Sequence, residues 1–132
     1  MKLPGTPGDE FEDDFLLLSD VFPTAYHAAE LAQVKTGRSV VIFGAGPVGL
    51  LAAMSCQIKG ASEIYVVDSV PACLEKVRQL GATPIDQTKG DPVQQILQHR
   101  KSNPMIQAAM RPAHQVLAAR WVGCYPISSP TP

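Results

Sequence analysis

Apolar residues follow two alternating spacings through the middle of the chain, and the alternation predicts strands and helices in turn. Short runs of mostly β-branched apolar residues are typical of strands buried on both faces of a parallel sheet. Between them, apolar residues recur at the three- and four-residue spacing of a helix. The predicted elements are strands at residues 39–43, 63–67 and 83–85 and helices at residues 47–59 and 71–80. This order predicts an α/β fold, namely the βαβαβ half of a doubly wound domain with a parallel sheet.

Weaker patterns flank this core. Before it, residues 12–19 and 21–34 predict two short helices, with Asp20 at the N-cap position of the second and Gly37 just beyond its end. After it, residues 92–101 predict one more helix. The last seven residues contain three prolines, so we expect an irregular, disordered end to the chain.

A Gly-x-Gly-x-x-Gly motif directly follows the first predicted strand, at Gly44, Gly46 and Gly49. In such a motif the first glycine permits a tight turn, the second lets a pyrophosphate approach the backbone, and the third lets the helix pack close to the sheet. Pro47 suits the first helical position, and Val48 follows it in the first turn. The free N–H groups of that turn would face phosphates, so these five residues predict a dinucleotide-binding loop. The alternative is a tight turn that binds nothing.

An acidic residue ends the second predicted strand. Asp68 lies nineteen residues after Gly49, near the spacing of about 20 that the dinucleotide-binding motif requires. Its carboxylate would accept hydrogen bonds from the adenosine ribose hydroxyls, and its charge would repel a 2′-phosphate. Asp68 therefore predicts NAD rather than NADP, the alternative being a simple cap on the strand.

We expect three regions along the chain. Residues 1–38 are a helical lead-in, residues 39–112 are the first half of an NAD-binding Rossmann domain, and residues 113–132 are an irregular tail.

Composition narrows the class of protein. The chain has 132 residues, of which 45% are hydrophobic and 17% charged, as in one globular domain or part of one. A formal net charge of −1 gives no reason to expect nucleic acid as a partner. No apolar run approaches the ~20 residues of a membrane span, and the first residues lack a secretory signal. We therefore expect a cytoplasmic protein with no membrane partner.

The three cysteines are Cys56, Cys73 and Cys124, and no two of them form a Cys-x-x-Cys pair. Their odd number and wide spacing argue against a disulfide framework and against a structural zinc lobe. We expect buried, reduced thiols.

Several of these segments together resemble a known family. Residues 40–49, 66–68 and 80–82 resemble the coenzyme domain of zinc-dependent medium-chain alcohol dehydrogenases. Residues 16–27, with the sequence LLLSDVFPTAYH, resemble more narrowly the glutathione-independent formaldehyde dehydrogenase and formaldehyde dismutase branch. The resemblance covers roughly residues 3–112 and corresponds to a middle section of a full-length member, so we expect a fragment.

The resemblance implies further site residues. The position of Asp20 carries the third protein ligand of the catalytic zinc in this branch, and the position of Thr24 lies beside the nicotinamide ring. A carboxylate oxygen is an acceptable zinc ligand; the alternative for Asp20 is a plain helix N-cap. His27 follows Asp20 by about two helical turns, but the family's histidine ligand comes from a different domain. The position of Cys73 usually holds a basic residue beside the ribose, so the cysteine predicts weaker NAD binding.

The implied function is that of the NAD-binding portion of a zinc-dependent dehydrogenase. Such an enzyme oxidises formaldehyde or a similar small aldehyde or alcohol by hydride transfer to NAD. The family's N-terminal catalytic domain supplies the other zinc ligands and has no counterpart in this sequence, so we expect the isolated chain to be inactive. The alternatives are a non-catalytic nucleotide-binding module and an inert truncated remnant. The open edge of an incomplete sheet also predicts self-association.

Overall fold

The computed structural model describes residues 15–16, 18–102 and 115–117. Helices and strands alternate along the chain, as the apolar pattern predicts. The helices are α1 (Val21–Leu31), α2 (Pro47–Ile58), α3 (Pro71–Gln79) and α4 (Pro92–Ser102), with a short 3-10 helix at Gln87–Lys89. The strands are β1 (Ser39–Phe43), β2 (Glu63–Asp68), β3 (Thr83–Asp86) and β4 (Gln115–Leu117).

The four strands form one parallel sheet in the order β3-β2-β1-β4. Ser39 pairs with Glu63 and Phe43 with Val67, so β1 and β2 end at the same edge of the sheet. Helices α2 and α3 make the crossover connections from β1 to β2 and from β2 to β3. The predicted fold class, a parallel Rossmann-type βαβαβ half with a helix before it, is confirmed.

Strand β4 is the main addition to the predicted fold. Its three residues pair with Val40, Val41 and Ile42 on the side of β1 away from β2. They lie within residues 113–132, for which the sequence predicts irregular structure, but the backbone here is extended. This strand forms because its backbone pairs with β1. A segment of three residues is too short for its own sequence to predict that pairing. The rest of the predicted tail lies outside the described residues.

The sheet has a different apolar layer on each face. On one face Val40, Ile42 and Val66 belong to one apolar cluster with buried residues of α1, α2 and α3. On the other face Tyr65, Val67 and Ile85 form a smaller cluster with Ile96 of α4. The alanines of α1 and α2 allow these helices to pack closely, since Ala25, Ala29 and Ala53 are fully buried. Burial on both faces explains why β1 and β2 read as continuous apolar runs.

Helix α1 ends three residues earlier than predicted, and Gly37 is not its stop. Gln33 takes a positive φ of 52°, its N–H bonds to Glu30 O, and the N–H of Val34 bonds to Ala29 O. These two bonds form a Schellman motif, which ends a helix by satisfying its last carbonyl groups. Of the other predicted lead-in helix, residues 15–16 are helical, residues 18–19 form a turn, and the remainder lies outside the described residues.

In the described part of the chain, no helix combines the length and the apolar character needed to cross a membrane.

The two described cysteines differ in their bonding. Cys56 is a free and fully buried thiol. Cys73 is disulfide-bonded, so the expectation of reduced thiols is wrong at that position.

Candidate dinucleotide-binding site

The glycine loop turns sharply off the end of β1. Gly44 has a φ of +97°, in the left-handed region that favours glycine. Its N–H donates to the carbonyl oxygen of Val67 at 2.8 Å, which ties the start of the loop to β2. The predicted task of Gly44, a tight turn at the carboxyl edge of the sheet, is what the backbone shows.

Gly49 is the point of closest approach between α2 and the loop. A Cβ atom on Gly49 would lie 2.0 Å from the carbonyl oxygen of Gly44 and 2.9 Å from its carbonyl carbon. Both contacts are with backbone, which cannot rotate away. Only glycine fits here, and the reason is the close packing that the motif predicts.

The first turn of α2 presents unused backbone donors. Gly46 is the N-cap residue, in an extended conformation and with no side chain, and Pro47 occupies the first helical position. The first bond of the helix runs from the N–H of Leu50 to Gly46 O at 2.9 Å. Among the described residues nothing accepts a hydrogen bond from the N–H groups of Gly46, Val48 or Gly49. With the positive end of the helix dipole, these groups suit an anion.

Asp68 joins the glycine loop to the start of α3. One carboxylate oxygen, Oδ2, accepts a hydrogen bond from the N–H of Ala45 at 2.6 Å. The other, Oδ1, accepts from the N–H groups of Ser69 at 2.7 Å and Val70 at 2.9 Å. The sequence places Asp68 next to the loop, but it does not reveal the bond to Ala45.

A groove of about 320 Å³ opens beside the loop, between the first turn of α2 and one side of α1. Thr24 lies in its wall, so the structure brings this predicted residue together with the glycine loop. Asp68 and Asp20 do not line the groove. The lining residues are Thr24, His27, Ala28, Leu31, Ile42, Phe43, Gly44, Gly46, Pro47, Val48, Gly49 and Ala52.

His27 is the one titratable side chain among those lining residues. It follows Thr24 by three positions on α1, which places both on one face of the helix. From the sequence, His27 is considered only as a metal ligand, and its place in this groove is not predicted. The spacing from Thr24 is the signal that points to it.

Asp20 stands alone as a candidate metal ligand. It is exposed and occupies the N-cap position of α1, but its side chain makes no capping hydrogen bond. Its backbone carbonyl accepts from the N–H of Thr24 at 3.2 Å and from the Thr24 hydroxyl at 2.9 Å. Nowhere in the described ranges do three or more His, Cys, Asp or Glu residues converge as they would around a metal ion.

Comparison with known proteins finds similar sequences among dehydrogenases. The chain is 40% identical over 97 residues to a glutathione-independent formaldehyde dehydrogenase of Bacillus subtilis, and 33% identical over 110 residues to an NADP-dependent isopropanol dehydrogenase of Thermoanaerobacter brockii. These alignments cover 74% and 83% of this chain. Its homologues are zinc-type medium-chain alcohol and formaldehyde dehydrogenases. No family model matches the chain.

Solved structures of dehydrogenases agree with the fold. The alcohol dehydrogenase of Thermus sp. ATN1 superposes with a TM-score of 0.64 at 31% identity, over 77% of this chain and 34% of that one. The chain spans only 24% and 31% of the two curated dehydrogenases named above. The similarity therefore concerns a nucleotide-binding region and not a whole dehydrogenase.

In the dehydrogenase family the position of Cys73 is expected to lie beside the ribose. Here Cys73 is 3% exposed and belongs to the apolar core, with Val77 of the same helix. Its side chain packs inward, away from solvent. At this position α3 therefore has no charged side chain that could lie beside a ribose.

Proposed function

We propose that this chain is the NAD-binding portion of a zinc-type dehydrogenase that acts on a small aldehyde or alcohol. The observation that carries the proposal is the free first turn of α2. Its N–H groups are presented by the glycine loop and open onto a groove that also contains Thr24. Backbone donors at a helix N-terminus are suited to a pyrophosphate.

We propose NAD as the preferred coenzyme. One relative is named for NADP and another carries no coenzyme in its name, so the names alone leave the choice open. Asp68 favours NAD because its carboxylate lies at the end of β2, where the motif places the adenosine ribose. A negative charge at that position accepts hydrogen bonds from ribose hydroxyls and repels a 2′-phosphate.

We assign roles in this groove to residues of this chain. The first turn of α2 would donate hydrogen bonds to the pyrophosphate, and Thr24 on α1 would lie beside the nicotinamide ring. Leu31, Ile42 and Ala52 would give the ring apolar contacts. A bound nicotinamide would supply the hydride acceptor, and these residues would hold it in register with the substrate carbon. Formaldehyde is the substrate we favour, on the resemblance of residues 16–27.

Asp20 is the proposed zinc ligand of the complete enzyme. A catalytic zinc requires three protein ligands. In the described part of the chain Asp20 belongs to no group of three or more candidate ligands, so these residues do not form a zinc site by themselves. We therefore assign no step to zinc, and we expect this chain alone to bind coenzyme without turnover.

Titration of the purified chain with NADH, followed by nicotinamide fluorescence, tests the binding proposal. We expect saturable binding and, because of Asp68, weaker binding of NADPH by at least about tenfold. Gly46→Ala adds a methyl group where the pyrophosphate approaches, in a backbone conformation that alanine adopts freely, and should weaken NADH binding. Glu75→Ala is the control, since Glu75 is exposed on α3 and lies outside the groove. A folded chain that binds neither coenzyme would refute the proposal.

A turnover assay separates the portion of a dehydrogenase from a complete enzyme. The chain is supplied with NAD, zinc and either formaldehyde, ethanol or isopropanol, and NADH formation is recorded. We expect NADH binding without NADH formation. Turnover with any of these substrates would contradict the expectation that the chain alone is inactive.

The second candidate function is a non-catalytic nucleotide-binding module. It rests on the same groove and on Asp20 being a single candidate zinc ligand.

A further inference from the structure

We propose that Asp68 positions the glycine loop for phosphate binding before any ligand arrives, in addition to its contact with the ribose. This inference rests on the proposed dinucleotide site. The Asp68 carboxylate accepts three backbone hydrogen bonds from two separate loops, and these bonds carry the inference. Asp68 is then a positioning residue for the pyrophosphate as well as a binding residue for the ribose.

The bond to Ala45 determines where the loop lies. Ala45 is 1% exposed, so its N–H is out of reach of water and needs a partner inside the protein. Two consecutive N–H groups tie the loop to β2, that of Gly44 through Val67 O and that of Ala45 through Asp68 Oδ2. The next residue, Gly46, begins the anion-binding turn. The carboxylate therefore fixes the loop one residue before its free donors.

The bonds to Ser69 and Val70 hold the carboxylate in place. Both N–H groups point at Oδ1, and Val70 is the N-cap residue of α3. With Oδ1 occupied in this way, Oδ2 is directed at Ala45. A carboxylate has about four acceptor sites on its two oxygens, and three are used here. One site remains for a ribose hydroxyl, so the two roles are compatible.

The chain contains a natural control for this arrangement. Asp86 ends β3 as Asp68 ends β2, and its Oδ1 accepts from the N–H of Thr88 at 2.9 Å and from the Thr88 hydroxyl at 2.6 Å. Asp86 thus makes the same kind of local turn, but it makes no bond to the glycine loop. An effect of removing the Asp68 charge that exceeds the effect at Asp86 belongs to the loop.

The test uses two probes, ADP and 2′,3′-dideoxy-ADP, on the full chain. The dideoxy compound keeps the pyrophosphate and lacks both ribose hydroxyls, so it cannot report a ribose contact. Asp68→Asn keeps one oxygen for Ser69 and Val70 but turns an NH₂ group toward the Ala45 N–H. We expect Asp68→Asn to weaken dideoxy-ADP binding by about fivefold or more, the loss of one charge-assisted hydrogen bond. Asp86→Asn should leave it within about twofold. Unchanged dideoxy-ADP affinity in Asp68→Asn, with weakened ADP binding, would overturn the proposal.

Amide exchange of the ligand-free chain gives a second readout that needs no ligand. Asp68→Asn should speed exchange of the Ala45 amide by about tenfold and leave the amides of β1 unchanged. Unchanged exchange at Ala45 would overturn the positioning role. If the wild-type chain binds neither ADP compound, the proposed dinucleotide site fails, and the Ala45 exchange still decides whether Asp68 holds the loop.

Discussion

At the scale of single residues, the described site depends on backbone atoms more than on side chains. The helix α2 approaches the loop so closely that a Gly49 Cβ would overlap the Gly44 carbonyl group. The donors that suit a pyrophosphate are N–H groups, and Asp68 accepts a hydrogen bond from Ala45, the residue just before the first of these donors. The glycine motif predicts these positions because each of them requires a residue without a side chain, and glycine is visible directly in the sequence.

Gly49→Ala should destabilise the chain and abolish NADH binding. The added methyl group meets immovable backbone at 2.0 Å, so we expect a loss of about 3 kcal/mol or more in the free energy of unfolding. Gly37→Ala is the control, since Gly37 has a positive φ of 81° but open space around a Cβ, and its backbone strain costs about 1 kcal/mol. Urea denaturation gives both values. Equal losses in the two variants would show that the loop contact is unimportant.

Alkaline pH should destabilise the fold through two buried groups. Burial raises the pKa of Cys56 from 9.0 to about 11, although the charge of Lys59 lowers it. Burial, followed by the charge and hydrogen bond of Glu63, raises the pKa of Tyr65 from 10.0 to about 12, against a small opposing effect of Arg100. Above pH 9 the unfolded chain therefore releases protons that the folded chain retains, and stability falls as pH rises toward 12.

Denaturation midpoints between pH 8 and pH 11 measure this dependence. Cys56→Ala and Tyr65→Phe each remove one titrating group, so each variant should lose less stability over this range than the wild type does. A wild-type profile that stays flat through pH 11 would contradict the raised pKa values.

At the scale of elements, the position of α1 on α2 decides whether the groove exists. The Lys59 ammonium lies 4.9 Å from the centroid of the Tyr26 ring and 3.4 Å from Glu30 Oε1, so one residue at the end of α2 contacts two residues of α1. The Lys59 side chain is only 18% exposed. Buried alanines let α1 and α2 pack closely, and the contacts of Lys59 with Tyr26 and Glu30 fix the relative position of the two helices. This packing places Thr24 in the same groove as the glycine loop.

Lys59→Gln should loosen α1. The loss of the cation–π contact and of the ion pair should cost about 1 kcal/mol in the free energy of unfolding. Amide exchange should speed up in α1 and not in α3. Lys76→Gln, on the exposed side of α3, is the matched control and should change stability by less than about 0.5 kcal/mol. Indistinguishable effects of the two substitutions would show that Lys59 does not hold α1.

At the scale of the whole molecule, the described sheet has two edges of different character. Strand β3 contains Pro84, which has no N–H to offer a further strand. Strand β4 pairs with β1 on one side and forms the other edge of the described sheet. Edge strands with unpaired backbone groups favour pairing with another chain. Self-association, which the sequence predicts from an open sheet, should therefore involve β4 more than β3.

Sedimentation velocity over a range of concentrations tests this prediction. We expect a concentration-dependent increase in mass for the wild-type chain. Gln115→Lys places a charge on β4 and should reduce association, whereas Thr83→Lys on β3 should leave it unchanged. A chain that remains monomeric at every concentration, or equal effects of both substitutions, would contradict the prediction.

The sequence by itself determined the βαβαβ order, the bounds of β1 within residues 39–43, the start of α2 at Pro47 and the tasks of Gly44 and Gly49. These features follow from local spacing and from the steric demands of single residues, which do not depend on distant parts of the chain. The same local logic failed at the end of α1, where Gln33 takes a conformation that glycine usually supplies.

Tertiary structure alone decided the pairing of β4 with β1, the place of Thr24 in one groove with the glycine loop, and the hydrogen bond from the N–H of Ala45 to Asp68. Each of these joins segments far apart in the chain, and each is selected by how helices and strands pack together. Hydrophobic periodicity specifies which face of an element is buried, but it does not specify which neighbour covers that face. The groove therefore becomes visible only when α1 lies against α2.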